Sequence, residues 1–228
     1  MSNLAKRSLV SLTRLGPKRS LQTLLSMADD AIFDWRLGTD TTGSVPQSKL
    51  KVLSPDLQAQ AKPYVMTRAR ALTFAFGLSG APKNKRLLDI GCGKGKAVIT
   101  AALFGFKRVL GIEFAPELVE VAQKNLHQIR QKLPKDTVAE VVCADATQFE
   151  YGPDDCVFFL YNPFAGDVMR GFCQQLGRSL AAYPRELWII YADPAFINDM
   201  RSTLPTLHEQ KRGAYGGFEI VVLKHTPD

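Results

Sequence analysis

The stretch RLLDIGCGKGK, residues 86–96, places three glycines spaced G-x-G-x-G behind an apolar run that ends on Asp89. A strand that stops on a carboxylate and turns through Gly91, Cys92, Gly93 and Gly95 lets backbone come close to a bound ligand. After the helical pattern Ala97–Gly105, a second apolar run, Arg108–Ile112, ends on Glu113 and Phe114. That carboxylate stands at the distance expected for gripping a ribose diol, so the two features together are far more specific than the glycines alone.

Positions 96 and 97 are Lys and Ala, where a phosphate loop needs Gly-Lys-Ser/Thr after four intervening residues, which disfavours a phosphate-loop nucleoside triphosphatase. A dinucleotide fingerprint wants Gly or Ala where Lys96 stands and has no need of Asp89, whereas a cofactor bearing an ammonium group would use that acid well. A tight strand-to-helix turn without a ligand is the plain alternative.

Beyond residue 86 short apolar runs alternate with helical patterns, the signature of a parallel sheet covered by helices. Strands are expected near 86–90, 108–113, 138–143, 155–161 and 186–192. Leu118, Ala122, Leu126, Ile129 and Leu133 predict an amphipathic helix, and Val168, Phe172, Cys173, Leu176 and Leu180 predict another. Asp193-Pro194 reads as the N-cap and first-turn proline of one more. The runs Leu204–Arg212 and Phe218–Leu223, joined through Gly213–Gly217, must be antiparallel.

In such a sheet the carboxyl ends of the strands open onto the ligand crevice. Asp145 follows the third run, where its carboxylate can accept from an adenine amino group while the Ala146 N–H lies near a ring nitrogen; capping a turn is the alternative. The fourth run ends Tyr161-Asn162-Pro163-Phe164. An Asn carbonyl before an aromatic face can hold an amine by its N–H groups, and a turn followed by a core phenylalanine is the competing reading.

The chain has 228 residues, 46% of them hydrophobic, which predicts a globular protein with a sizeable core and no transmembrane run. Its net charge of +7 is concentrated in residues 1–28, where Lys6, Arg7, Arg14, Lys18 and Arg19 meet no acid. This arm reads as a helix docked on its own domain through Leu21, Leu24, Leu25, Ala28 and Ile32, as a surface for acidic partners, or as a mitochondrial presequence. Residues 1–85 form the arm and its sequel, and 86–228 the cofactor-binding domain; the polar Gly38–Pro46 between reads as a linker or as a lid across the cofactor edge. Cys92, Cys143, Cys156 and Cys173 form no CxxC pair, a reduced, cytoplasmic usage, and scattered histidines give no support for a metal.

Together LDIGCGKG, GIE, CADA and YNPF resemble the class I S-adenosylmethionine-dependent methyltransferases over residues 86–225. The resemblance implies a Rossmann-like, mostly parallel seven-stranded sheet finished by an antiparallel hairpin. It implies that Asp89 and Gly91–Gly95 contact the methionine moiety, Glu113 with Phe114 the ribose edge, and Asp145 with Ala146 the adenine, with Asn162, Pro163 and Phe164 beside the transferable methyl. More narrowly, DIGCGKGKAVITAA and YNPF resemble an uncharacterised bacterial family related to the non-SET histone-lysine methyltransferases, as do Phe33-Asp34, Gly38-Thr39-Asp40-Thr41 and Tyr64. YNPF also resembles the Asn-Pro-Pro-aromatic motif of enzymes that methylate planar amines, but lacks its second proline. The expectation is an amine N-methyltransferase, a protein amine ahead of a nucleic-acid base or small molecule. Its rivals are a nicotinamide-dependent oxidoreductase and a non-catalytic cofactor-binding scaffold.

Overall fold

The computed structural model describes residues 28–45, 64–65, 67–164 and 166–227. Residues 28–37 (α1) are helical, followed by a small antiparallel pair, β1 (Ser44–Val45) with β2 (Tyr64–Val65). Then come α2 (Ala69–Ser79), β3 (Arg86–Ile90), α3 (Lys96–Phe104), β4 (Arg108–Glu113), α4 (Pro116–Ile129) and β5 (Val138–Cys143). The chain continues through β6 (Asp155–Tyr161), α5 (Gly166–Ala182), β7 (Leu187–Ala192), α6 (Ile197–Thr203), β8 (His208–Tyr215) and β9 (Phe218–His225).

The main sheet has seven strands in the order β5-β4-β3-β6-β7-β9-β8. The first five are parallel, β9 pairs antiparallel with β7, and β8 antiparallel with β9. This is the Rossmann-like arrangement expected, mostly parallel with a terminal hairpin. β6 lies near the middle with both faces covered, which is why DCVFFLY reads as a continuous apolar run.

Alternation along the strands divides the core into two layers. Leu87, Val157, Phe159 and Ile190 face one layer with α2 and α3, where the Phe76 ring meets Phe106 and Phe159 edge-on. Leu88, Phe158, Leu160, Ile189 and Tyr191 face the other, under α5 and α6. Leu72, Ala75 and Phe76 of α2 share a single cluster with the strands, so the core runs unbroken across residue 85.

Three details differ from the sequence reading. The hairpin turn is only Gly216–Gly217, both with positive φ (58° and 87°), the conformation that matches the twist of two strands joined by two residues. Leu204–Leu207 therefore lies before β8 rather than in it. The helix after β7 begins at Ile197 with Phe196 as N-cap and no side-chain cap, so Asp193-Pro194 does not start it. Residues 1–27 of the basic arm lie outside the described residues. Of its proposed docking face, Ala28 and Ile32 are exposed, and Phe33 and Leu37 are the residues of α1 that pack on the core. No helix among the described residues is long and apolar enough to cross a membrane.

Candidate functional site

Asp89 is the next-to-last residue of β3, in the same alternation as Leu87, and is 3% exposed. Its Oδ2 is buried without a hydrogen-bond partner among the described residues. Burial, with Glu113 nearby, pushes its pKa from 3.8 up to about 8. A carboxylate kept dry and unpartnered is a site prepared for a cation or donor, and this one stands at the start of the glycine turn.

The turn needs its glycines for stated reasons. Gly91, Gly93 and Gly95 all have positive φ, 75°, 53° and 83°. A Cβ on Gly91 would lie 2.7 Å from the Cβ of Pro163, so this glycine lets the turn touch the end of β6. A Cβ on Gly95 would lie 3.2 Å from that of Ala122, so this one seats α3 against α4. Cys92 is buried, its thiol pushed upward by burial, and it packs under Gly111, whose missing Cβ makes room for its sulfur.

Glu113, at the end of the neighbouring strand and 4% exposed, holds both sides of the crevice. Its Oε2 accepts from Gly93 N–H at 2.9 Å and its Oε1 from Ala115 N–H at 3.0 Å. Burial raises its pKa while these backbone donors oppose the rise. Each carboxylate oxygen has a second lone pair, so the fixed group can still accept from a diol. Phe114, half-buried, packs with Ala115, Leu118 and Val45.

Asp145 uses Oδ1 to accept from Thr147 N–H and Thr147 Oγ1, both at 2.8 Å, so it caps a turn as the plainer reading supposed. Ala146 beside it is buried. Asn162 and Pro163 are half-buried at the end of β6, and Asn162 has φ 40°, a left-handed conformation that Asn tolerates better than most residues. Phe164 differs from expectation: it is 8% exposed and packs against Phe172 within the core, so its ring anchors the turn instead of presenting a face to an acceptor.

The polar segment after α1 is no slack linker. Asp34, which is buried, accepts from Thr39 Oγ1 (2.7 Å), Thr41 Oγ1 (2.6 Å), Thr41 N–H (3.0 Å) and Thr42 N–H (2.9 Å). These donors hold its carboxyl below the usual range despite burial. Asn125 of α4 accepts from Asp40 N–H at 2.8 Å and donates to the carbonyls of Asp40 and Lys94, each at 3.0 Å. Lys94 Nζ reaches Asp40 Oδ1 at 2.9 Å and the Thr42 carbonyl at 3.0 Å. Residues 38–42 are thus strapped to the glycine turn, and Val45 carries on toward Phe114.

Behind the turn, Lys96 Nζ meets Asp30 Oδ1 at 2.9 Å and lies 5.3 Å from the centre of the Phe33 ring. Asp30, Asp34, Asp40, Lys94, Lys96 and Asn125 were not singled out as site residues by sequence. Their signal was there: charges at 30, 34 and 96 interrupt otherwise apolar faces.

Residues 87–182 match the methyltransferase-domain family. A ribosomal protein L11 methyltransferase from Citrifermentans bemidjiense is 32% identical over 95 residues, covering 42% of this chain and 29% of the relative. The chain therefore spans less than a third of that curated relative's length. Among solved structures, an RNA methyltransferase from Salinibacter ruber in complex with S-adenosyl-L-homocysteine has a TM-score of 0.53 at 20% identity, covering 72% of this chain and 95% of that one. The ribosomal protein L11 methylase of Lactobacillus delbrueckii subsp. bulgaricus has a TM-score of 0.52 at 13% identity, covering 69% and 79%. These likenesses establish the fold, and the matched domain spans the glycine turn, both acidic strand ends and the Asn-Pro-Phe turn. With the sheet order 5-4-3-6-7-9-8 and a buried acid leading into the glycines, residues 87–182 are a match to the methyltransferase-domain family set within a Rossmann-like fold that the chain shares with known methyltransferases.

Proposed function

We propose that this protein transfers a methyl group from S-adenosylmethionine to an amine nitrogen, a lysine-like protein amine before any other acceptor. The observation that carries the reading is the orphaned, buried Asp89 carboxylate beside the glycine turn, 20-odd residues ahead of Glu113. These residues fit the cofactor: Asp89 would take its ammonium group and Glu113 its ribose diol. Ala146, with Asp145, would lie along the adenine, and Phe114 would pack at the same edge.

When bound, the cofactor supplies an electrophilic methyl group on a sulfonium. The protein's part is to orient and to exclude water. Asn162, set in a left-handed turn that contacts Gly91 through Pro163, would accept an N–H of the acceptor and aim the nitrogen lone pair. The strap 38–45 would close the cofactor edge as a lid, with residues 86–228 forming the binding domain proper. A protein acceptor is in keeping with relatives that carry the name ribosomal protein L11 methyltransferase. Cytoplasmic placement belongs to the same reading, supported by four free cysteines.

Labelling a lysate with tritiated S-adenosylmethionine and the purified protein tests the proposal. Protease-sensitive label is the expected result, whereas nuclease-sensitive label would transfer the reading to a planar amine. Binding of nicotinamide cofactors in place of S-adenosylhomocysteine would favour an oxidoreductase. Cofactor binding without any transfer would favour a scaffold.

A further inference from the structure

β6 and β7 run parallel with Tyr161 opposite Ala192 as their last registered pair. The next residues on the two strands are Asn162 and Asp193, so these side chains leave neighbouring strands at the same level of the crevice. Both have positive φ, 40° and 49°; apart from Asp136 in the loop before β5, they are the only non-glycine residues in this state among those described. Asp193 is exposed, and its carboxylate makes no hydrogen bond or ion pair with a described residue. Its backbone is nonetheless fixed, with N–H donating to the Glu219 carbonyl at 2.8 Å.

An aromatic wall stands beside it. The Tyr161 ring packs edge-on to Phe218, centroids 5.7 Å apart, and the Arg68 guanidinium lies 5.5 Å from the Phe218 centroid. Burial and the Asp193 carboxylate push the Tyr161 hydroxyl up to about 12, with Arg68 acting in the opposite direction and more weakly. The exposed Asp193 carboxylate thus places a negative charge at this corner, while the ring faces offer apolar surface. An alkyl chain ending in an ammonium group matches both.

Resting on the methyltransferase reading, we infer that Asp193, with Asn162, first captures the methyl acceptor as an alkylammonium of lysine type, which gives up one proton to solvent so that the neutral nitrogen, its lone pair freed, takes the methyl group. Tyr161 and Phe218 line the approach of its aliphatic stem. Arg68 stays on the Phe218 ring. A neutral planar amine of a nucleobase could offer this carboxylate a hydrogen bond but no charge, and an anionic acceptor would be repelled by it.

The test uses the full chain loaded with S-adenosylhomocysteine, titrated with n-butylammonium, n-butanol and butyrate and followed by ligand-detected NMR. The expected order is butylammonium first, with about fivefold weaker binding to Asp193→Asn and no change for butanol. Asn tolerates the left-handed backbone, so this variant folds without new strain, and Asp193→Gly, also free of strain, should show the same loss. Affinity for S-adenosylhomocysteine should be the same in all three proteins. Equal butylammonium binding to wild type and both variants, no binding of butylammonium beyond that of butanol, or a preference for butyrate would overturn the inference while leaving the methyltransferase reading intact. Failure of the wild type to bind S-adenosylhomocysteine would instead remove that reading, and this inference with it.

Discussion

The ammonium of Lys96 and the carboxylate of Asp30 meet at 2.9 Å in the interior, 2% and 1% exposed. They tie α1 to the first residue of the helix that follows the glycine turn. Removing one partner of such a pair leaves a bare charge in a dry place. Lys96→Met is therefore expected to lower unfolding free energy by about 3–5 kcal/mol, and Lys96→Met with Asp30→Asn to recover much of it. Urea denaturation of the two variants measures the difference; equal losses would show that packing, not charge, sets the cost.

Gly91→Ala meets both a left-handed backbone and the Pro163 ring, 2.7 Å from the added carbon. The conformational part should cost about 1–2 kcal/mol. Gly216, in the β8–β9 turn with φ 58° and open space around it, isolates that part when replaced by Ala. The expected outcome is a lower melting temperature for both variants, with loss of S-adenosylhomocysteine affinity confined to Gly91→Ala. Titration calorimetry decides it.

Asp89 gives the free protein a pH dependence of definite sign. Its pKa is 3.8 in the unfolded chain and about 8 in the folded one, so between these values the folded state holds more protons. This contribution is full below the lower value and is lost as pH rises through 8, and the raised Glu113 acts in the same direction. Stability should fall from pH 5 toward pH 8.5, and Asp89→Asn should flatten the fall. A cation placed on Asp89 would draw the proton off, so S-adenosylhomocysteine binding near pH 7 should release protons, seen as a binding enthalpy that varies with the buffer. Asp89→Asn should abolish that variation.

Asn162 and Phe164 stand two residues apart and should fail in different ways. Phe164→Ala opens a cavity beside Phe172 and is expected to cost about 3–5 kcal/mol of stability. Asn162→Gly removes the amide oxygen and keeps the permitted left-handed turn, so its melting temperature should barely move. Methyl transfer should drop by about 10²-fold as the acceptor nitrogen loses its orientation. Thermal melts and initial rates on the same preparations separate the two.

Much of the fold could be read from residues 86–225 because its signals are local. Apolar runs bounded by turn residues marked five strands to within a residue, and Gly216–Gly217 enforced the hairpin. The glycine turn, Asp89 and Glu113 were legible for the same reason: strand alternation and backbone sterics act over a few neighbours. The Asn-Pro-Phe turn was legible as a place, although burial gave Phe164 a different role.

What the sequence by itself determined was the parallel sheet, its terminal hairpin and the glycine turn between β3 and α3. Only the tertiary structure decided that Asp30 meets Lys96, that Asp40 is clasped by Asn125 and Lys94, and that Asp193 stands level with Asn162. These partners lie 66, 85 and 54 residues apart or on separate strands. A charge in the chain carries no mark of its distant partner. The low-dielectric interior makes that partner obligatory only once the fold has brought the two together.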